Sequence, residues 1–358
     1  MLGDRLRQAR RARGWSLEEL AEKAGSISRQ AIHYYETGQD TPGSSVLLRL
    51  ANALGVGIDY FFRTITVNLG TPAYRAHCQL PARERRRIES LATEEIERYI
   101  QAESFVEPGK EHRLNLPDSV GNAVESAHES EPRAEAIREH WQIGLDPINN
   151  MTELLEDNGI KVIYVEADVK FDGCAYVDGD VTAILVNRGK PGDRQRFDLA
   201  HELAHIALRF PDSWTEKQQE EAAHRFAGAF LAPAAAVRKE LGTKRVAISI
   251  VELQILKKKY GMSMQAWIHR AMDLGIISKS AASKLYREFS ARGWRIKEPG
   301  PPYPEERSYR LEGLVARAVS SGIVSDTKAA ELLGKPLDEY LACMVEADED
   351  SAYQLTDL

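Results

Sequence analysis

Cysteine is scarce in this chain of 358 residues: only Cys78, Cys174 and Cys343 occur, far apart and with no CxxC pair. That usage excludes a disulfide framework and a thiolate metal site, and leaves the three thiols as core or inert residues. No apolar run approaches the length of a membrane span, and no early apolar stretch follows a basic one. A membrane partner and a signal peptide are therefore not expected, and the cytoplasm is the expected location. Positive charge is lacking too. The net charge of -7 excludes a protein that coats nucleic acid non-specifically, while a local basic face on one domain stays open. What is present is 43% hydrophobic and 28% charged residues, enough to bury a sizeable core in two or three domains.

Residues 1–63 read as a compact block of short amphipathic helices. The first interleaves Arg5, Arg7, Arg10, Arg11 and Arg13 with Leu6 and Ala9, which predicts a buried stripe and a basic solvated face. Gly70 and Pro72 break any helix across 64–80, and alternating charge from Pro81 to Glu103 predicts an exposed connecting helix. Residues 106–133, polar and containing Pro and Gly, read as a linker.

A second block begins near Ala134, with helices over 134–140 and 147–158 and then the strand-like run KVIYVEAD. Two further runs, GCAYV and VTAILVN, meet at Asp178-Gly179-Asp180 as a hairpin. Asp193 is the expected N-cap of a helix that runs through Arg209 to Pro211, and another helix spans 215–231. Beyond Pro233 the chain reads as short helices to about 346. The expected division is 1–66, a connecting helix and linker over 67–133, a domain over 134–240, a helical region over 241–346 and a frayed acidic tail over 347–358. The fold class is α+β, mostly helical.

The helix RFDLAHELAHIALRF contains His201-Glu202-Leu203-Ala204-His205, an HExxH arrangement. Residues four apart share one helical face, roughly 6 Å between side-chain roots, so both imidazoles reach a single metal ion, and the geometry suits Zn2+. Glu202 projects beside that face, close enough to act as general base. Phe197, Leu199, Ala200, Leu203, Ala204, Ile206, Ala207 and Leu208 make the helix apolar, so burying two histidines and a glutamate needs compensation, which a metal ion supplies. A catalytic zinc is owed one more protein ligand. Glu220, in TEKQQEEAAHRFAGAFL, is the reading for it; Glu221 points about 100° away, and His224, on the same face as Glu220, is either a partner behind the ligands or the ligand itself.

The stretch from GLDPI through RQRFDLAHELAH to EEAAHRFAGAFLAP, roughly residues 135–275, resembles the ImmA/IrrE metallo-endopeptidases. The resemblance implies a zincin-like peptidase domain with a small β-sheet, His201, His205 and Glu220 as zinc ligands, and Glu202 as the catalytic glutamate. It also implies a helix-turn-helix repressor as protein substrate. His224 departs from the asparagine common in relatives.

Residues 4–63 resemble the Cro/repressor-type (XRE) helix-turn-helix domain, with SLEELAEKAG, SISRQ and AIHYYETGQ as the motif. Leu17, Leu20, Ala21, Ala24, Ile32 and Tyr35 would form its buried face. Arg29, Gln30, His33 and Tyr34 would face a major groove, with Arg29 and Gln30 as base readers. Ser28 and the arginines of the first helix would hold phosphates. The expected partners are a double-stranded DNA operator and the protein substrate, with a homodimer left open. Two other readings stand beside the regulatory protease: a non-proteolytic repressor or antitoxin whose peptidase fold is a sensor, and a regulator that cleaves itself within 106–133. The helical pairs VELQILKKKYGMSMQAWIHRAMDLG and VSDTKAAELLGKPLDEYL lack a basic reading face and suit packing, docking or dimerisation.

Overall fold

Local capping signals start the N-terminal helices. In the computed structural model, which describes residues 2–25, 27–67, 69, 80–109 and 113–344, α1 (Leu2–Ala12) is followed by α2 (Leu17–Lys23). Gly70, Pro72, Cys78 and the acidic tail 347–358 lie outside the described residues. Ser16 and Glu19 form a reciprocal capping box at the start of α2. Ser28 caps α3 (Arg29–Thr37) by accepting the Ala31 N–H, and Gly38 at φ 71° closes it. α4 (Ser44–Leu54) precedes a 3₁₀ turn at Ile58–Phe62. Leu6, Leu20, Ile32, Leu50, Leu54 and Phe61 bury their side chains together.

The arginines of α1 differ from the expected solvated face. Arg5 is 2% exposed and pairs with Glu97 at 2.5 Å. Arg10 grips the buried Glu36 of α3 at 2.5 and 2.8 Å. A carboxylate taken out of water needs a cation, so these two guanidinium groups turn inward. Gly3 allows the close approach of α1 to α3, because a methyl group there would come within 2.4 Å of the Tyr35 carbonyl oxygen.

The expected exposed connector is also different. α5 (Ala82–Val106) buries Ile88, Ala92, Ile96, Tyr99 and Ala102, spaced three or four apart along one face. Tyr60 donates to Glu94 of this helix at 2.5 Å. Tyr99 and Ala102 share a core with Leu314, Val315, Ala329, Ala330 and Leu332 of the C-terminal helices Arg310–Ser320 and Asp326–Leu332. Accordingly, Met1–Asn68, Arg86–Glu111 and Ser308–Leu358 form one compact unit, and Leu69–Arg85 with His112–Arg307 form the other.

In the second unit, the segment from 113 is the one expected to be a linker. Val120 and Val124 are buried there, and Asn115 N–H donates to the Asn158 carbonyl at 3.0 Å. Gly159, at φ 85°, admits this passage: a Cβ would meet the Arg113 carbonyl oxygen at 2.3 Å. α6 (Ser130–His140) and α7 (Met151–Asp157) follow. The sheet comprises β1 (Ile160–Val165), β2 (Gly173–Asp178) and β3 (Val181–Asn187) in the order β1-β3-β2. β1 pairs with β3 in parallel from Ile160↔Thr182, and β2 pairs antiparallel from Gly173↔Val186, so β2 is an edge strand.

α8 (Gly192–Ala207) and α9 (Glu216–Leu231) pack against each other beside this sheet. The N-cap of α8 is Pro191 rather than Asp193, whose carboxylate instead pairs with Lys257 at 3.0 Å. The helix stops at Ala207, short of the expected Arg209, because the chain turns extended at Leu208 and the Arg209 carbonyl accepts the Val124 N–H. α10 (Ala234–Leu241), α11 (Ile250–Tyr260), α12 (Met264–Asp273) and α13 (Lys279–Ala291) complete the helices of this unit among the described residues. The Pro-rich EPGPPYPEE returns as a strap over the start of α8. Its Glu306 pairs with the buried Arg196 and accepts the Met151 N–H at 2.8 Å. Gly192 leaves room for the strap, since a Cβ there would collide with the Pro304 carbonyl.

Glu36→Ala strands the Arg10 guanidinium beside a buried void. The expected loss is about 3 kcal/mol of stability, read by urea unfolding, with the paired change Arg10→Met and Glu36→Leu losing less.

Candidate metal centre and nucleic-acid interface

Two α8 histidines and one α9 carboxylate converge. His201 Nε2 lies 3.1 Å from His205 Nε2, and Glu220 sets one oxygen 3.4 Å from each. The i, i+4 spacing aligns the two rings, and alanines on the helices let the third group approach: Ala200 and Ala204 on α8, Ala223 and Ala227 on α9, all fully buried. Among the described residues, these are the three whose ligand atoms gather within 4.8 Å of one another. Two imidazole nitrogens and one carboxylate, enclosed and converging, form a donor set that fits zinc with a position left for substrate or water. Glu221 is exposed.

Glu202 faces the sheet. Its carboxylate accepts the Ala175 N–H of β2, and burial, then Asp198 and then Glu220, push its carboxyl well above the usual carboxylate range. Gly173 lies against it: a Cβ there would come within 2.9 Å of the Leu185 carbonyl oxygen and 3.3 Å of Glu202 Cγ. Asp198, one turn before Glu202, is pushed up to about 7 by burial despite the Arg194 guanidinium 3.0 Å away. Arg194 also reaches Asp172 at 3.0 Å, and Lys190 reaches Asp172 at 2.8 Å. Asp172 is partly buried, yet these two cations hold it below the usual range. Sequence reasoning missed this carboxylate row, although the i, i+4 step from Asp198 to Glu202 was a signal for it. It had no means of finding Gly173 and Ala175, which come from a strand across the fold.

His224 is not in the ligand cluster. Its ring lies 4.7 Å from that of His201 and stacks on Phe197 at 5.7 Å, and the residue is exposed. Cys174 is buried in β2 and Cys343 is exposed, both remote in sequence from the triad.

On the other unit, Ser28, Arg29, Gln30 and His33 are exposed at the start and along one side of α3, and Tyr34 is half-buried. Gln30 donates to the Tyr34 hydroxyl at 2.6 Å, Arg29 pairs with Glu18 at 2.8 Å, and the Ser28 hydroxyl caps the helix. Arg5 and Arg10 are enclosed in ion pairs, which removes them from the phosphate-holding role expected of them.

Residues 6–61 match the helix-turn-helix family, and residues 155–272 match the IrrE N-terminal-like domain. The chain joins these two domains. Over 63 residues it is 36% identical to an SPbeta prophage-derived uncharacterised HTH-type transcriptional regulator of Bacillus subtilis, covering 18% of this chain and 57% of that protein. Over 61 residues it is 44% identical to an uncharacterised transcriptional regulator in the ATPase CF(0) region of Rhodospirillum rubrum, covering 17% of this chain and 56% of that one. The chain thus spans a little over half the length of these curated relatives. The IrrE N-terminal-like match contains the triad, Glu202 and all three strands of the sheet. Among the described residues no helix is long and apolar enough to cross a membrane.

Gly173→Ala forces either β2 or Glu202 to shift. It is expected to lower the thermal midpoint of the second unit while leaving metal content near parental, since its clash falls on the sheet and Glu202; an unchanged midpoint would mean the cleft has slack that the packing denies.

Proposed function

We propose that the chain is a DNA-binding regulatory zinc metallo-endopeptidase that cleaves a helix-turn-helix repressor. The observation that carries this is the convergence of His201, His205 and Glu220 with Glu202 alongside. Held by those three residues, a zinc ion would supply Lewis acidity to activate water at neutral pH and polarise a carbonyl. Glu202 takes the proton of the attacking water and returns it to the leaving amine, and the Ala175 N–H orients its carboxylate for that exchange. Among the described residues β2 lies at one end of the sheet, and an extended peptide can add to such an edge by main-chain hydrogen bonds. The helix-turn-helix domain brings the chain to an operator, with Arg29 and Gln30 reading bases from the exposed side of α3.

One observation favours a second reading, a non-proteolytic regulator that senses through the peptidase fold: Glu202 is only 5% exposed. Self-cleavage within 106–133 is disfavoured by the burial of Val120 and Val124 in the core.

Glu202→Gln separates the two readings. Incubated with helix-turn-helix proteins encoded beside it, the parent is expected to cleave one of them, and Glu202→Gln to keep one zinc per chain while losing at least about a hundredfold in rate. Loss of zinc is expected instead in His201→Ala and His205→Ala, and weaker zinc affinity in Glu220→Gln. A parent that binds zinc and operator but cleaves none of these proteins supports the sensor.

DNA reading is tested separately. Arg29→Ala or Gln30→Ala is expected to weaken operator binding by about 1–3 kcal/mol and relax preference at one base pair. Parental affinity and specificity in both variants would remove α3 as the reading helix.

A further inference from the structure

We propose that the cavity bounded by the helix-turn-helix core, α5 and the helix Asp326–Leu332 binds a small organic phosphate through Arg98 and Arg13. The inference stands apart from the peptidase reading. The cavity holds about 1100 Å³, and its walls come entirely from the first compact unit. Ordinary small-molecule sites hold about 300–1,000 Å³, so there is room for a metabolite of nucleotide size. A bare phosphate ion would leave most of that space to water. Val56, Ile100 and Leu337 give part of the lining an apolar surface on which an organic body can rest.

Charge on the walls decides what the ligand carries. Five cations line the cavity against four carboxylates. Arg5 is committed to Glu97 at 2.5 Å, and Arg63 to Asp59 and, at 2.6 Å, to Glu331. Those two cations take three of the carboxylates. The fourth, Glu94, accepts from the Tyr60 hydroxyl at 2.5 Å, and burial pushes its carboxyl up against the pull of Tyr60, Arg98, Arg13 and Arg5. Arg13, Arg98 and Lys335 therefore carry the positive surplus of the lining. Space is left for both guanidinium groups by glycines at helix ends. A Cβ at Gly55 would stand 2.8 Å from Arg13 Nη2, and one at Gly334 would stand 2.9 Å from the Arg98 Cζ and from both its terminal nitrogens. Arg13 spends one N–H on the Leu54 carbonyl at 2.6 Å, and Arg98 Nε is enclosed without a hydrogen-bond partner. Closing the carbonyl end of a helix accounts for Arg13 but not for the cavity or for Arg98 Nε. A guanidinium offers five N–H donors in a planar fork, and two of them acting near one carboxyl match the three acceptor oxygens of a phosphate ester.

The test is isothermal titration calorimetry on the full chain, with and without EDTA, using adenosine 5′-monophosphate and glucose 6-phosphate against adenosine, glucose and inorganic phosphate. At least one of the two esters is expected to bind once per chain, at least about tenfold more tightly than its dephosphorylated form and than inorganic phosphate. Arg98→Gln removes both charge and fork, and is expected to weaken that binding at least about tenfold while the circular dichroism stays parental. Arg98→Lys keeps the charge without the fork and is expected to lose about threefold, so it carries the test by itself if Arg98→Gln does not fold. Parental affinity in the folded Arg98 variants would overturn the proposal. So would inorganic phosphate binding as tightly as either ester, which would make the cavity a site for an adventitious ion only. Binding abolished by EDTA would place the ester on a metal ion instead, and an absence of binding by both esters at millimolar concentration would leave the cavity without this role; either result overturns the proposal.

Discussion

Three polar groups are enclosed where two apolar helices meet, and much of the second unit is arranged around that constraint. Taking two imidazoles and a carboxylate out of water is unfavourable unless they satisfy one another or a shared ion. Their distances of 3.1 to 3.4 Å are reached because alanines line the facing sides of α8 and α9. The strap around Glu306, the Lys257 pair with Asp193 and the passage of Val120 and Val124 through the core all hold α8 at points along its length or at its end.

Electrostatics next to the triad is graded. Asp172, paired with Lys190 and Arg194, is held below the usual carboxylate range; Asp198, buried and sharing Arg194, is pushed up to about 7; Glu202, buried and flanked by Asp198 and Glu220, is pushed well above the usual range. Burial raises Asp198 and Glu202 and the nearby like charges reinforce it, whereas at Asp172 the two cations outweigh burial. The same rule governs the other unit, where Glu36 and Glu97 are tolerated in enclosed positions because Arg10 and Arg5 are committed to them. Cations spent on that packing are not available to a phosphate backbone.

The sequence by itself determined the features whose causes are local. The HExxH step puts His201 and His205 on one helical face wherever that helix lies, and the i, i+4 logic that singled out Glu220 over Glu221 depends only on helical geometry. The Asp178-Gly179-Asp180 turn acts within a few residues and was legible for the same reason. Tertiary structure alone decided what depends on partners distant in the chain. Alternating charge on α5 concealed an apolar face that is meaningful only against Tyr60 and the C-terminal helices. The polar composition of 113–129 hid two valines that a core elsewhere was able to accept. Asp193 looked like a cap until Lys257 claimed its carboxylate, and Arg5 and Arg10 looked solvated until Glu97 and Glu36 came to face them. The pairing of β1 with β3 past β2, and with it the edge strand that meets Glu202, follows from long-range register, for which no short window of residues carries a signal.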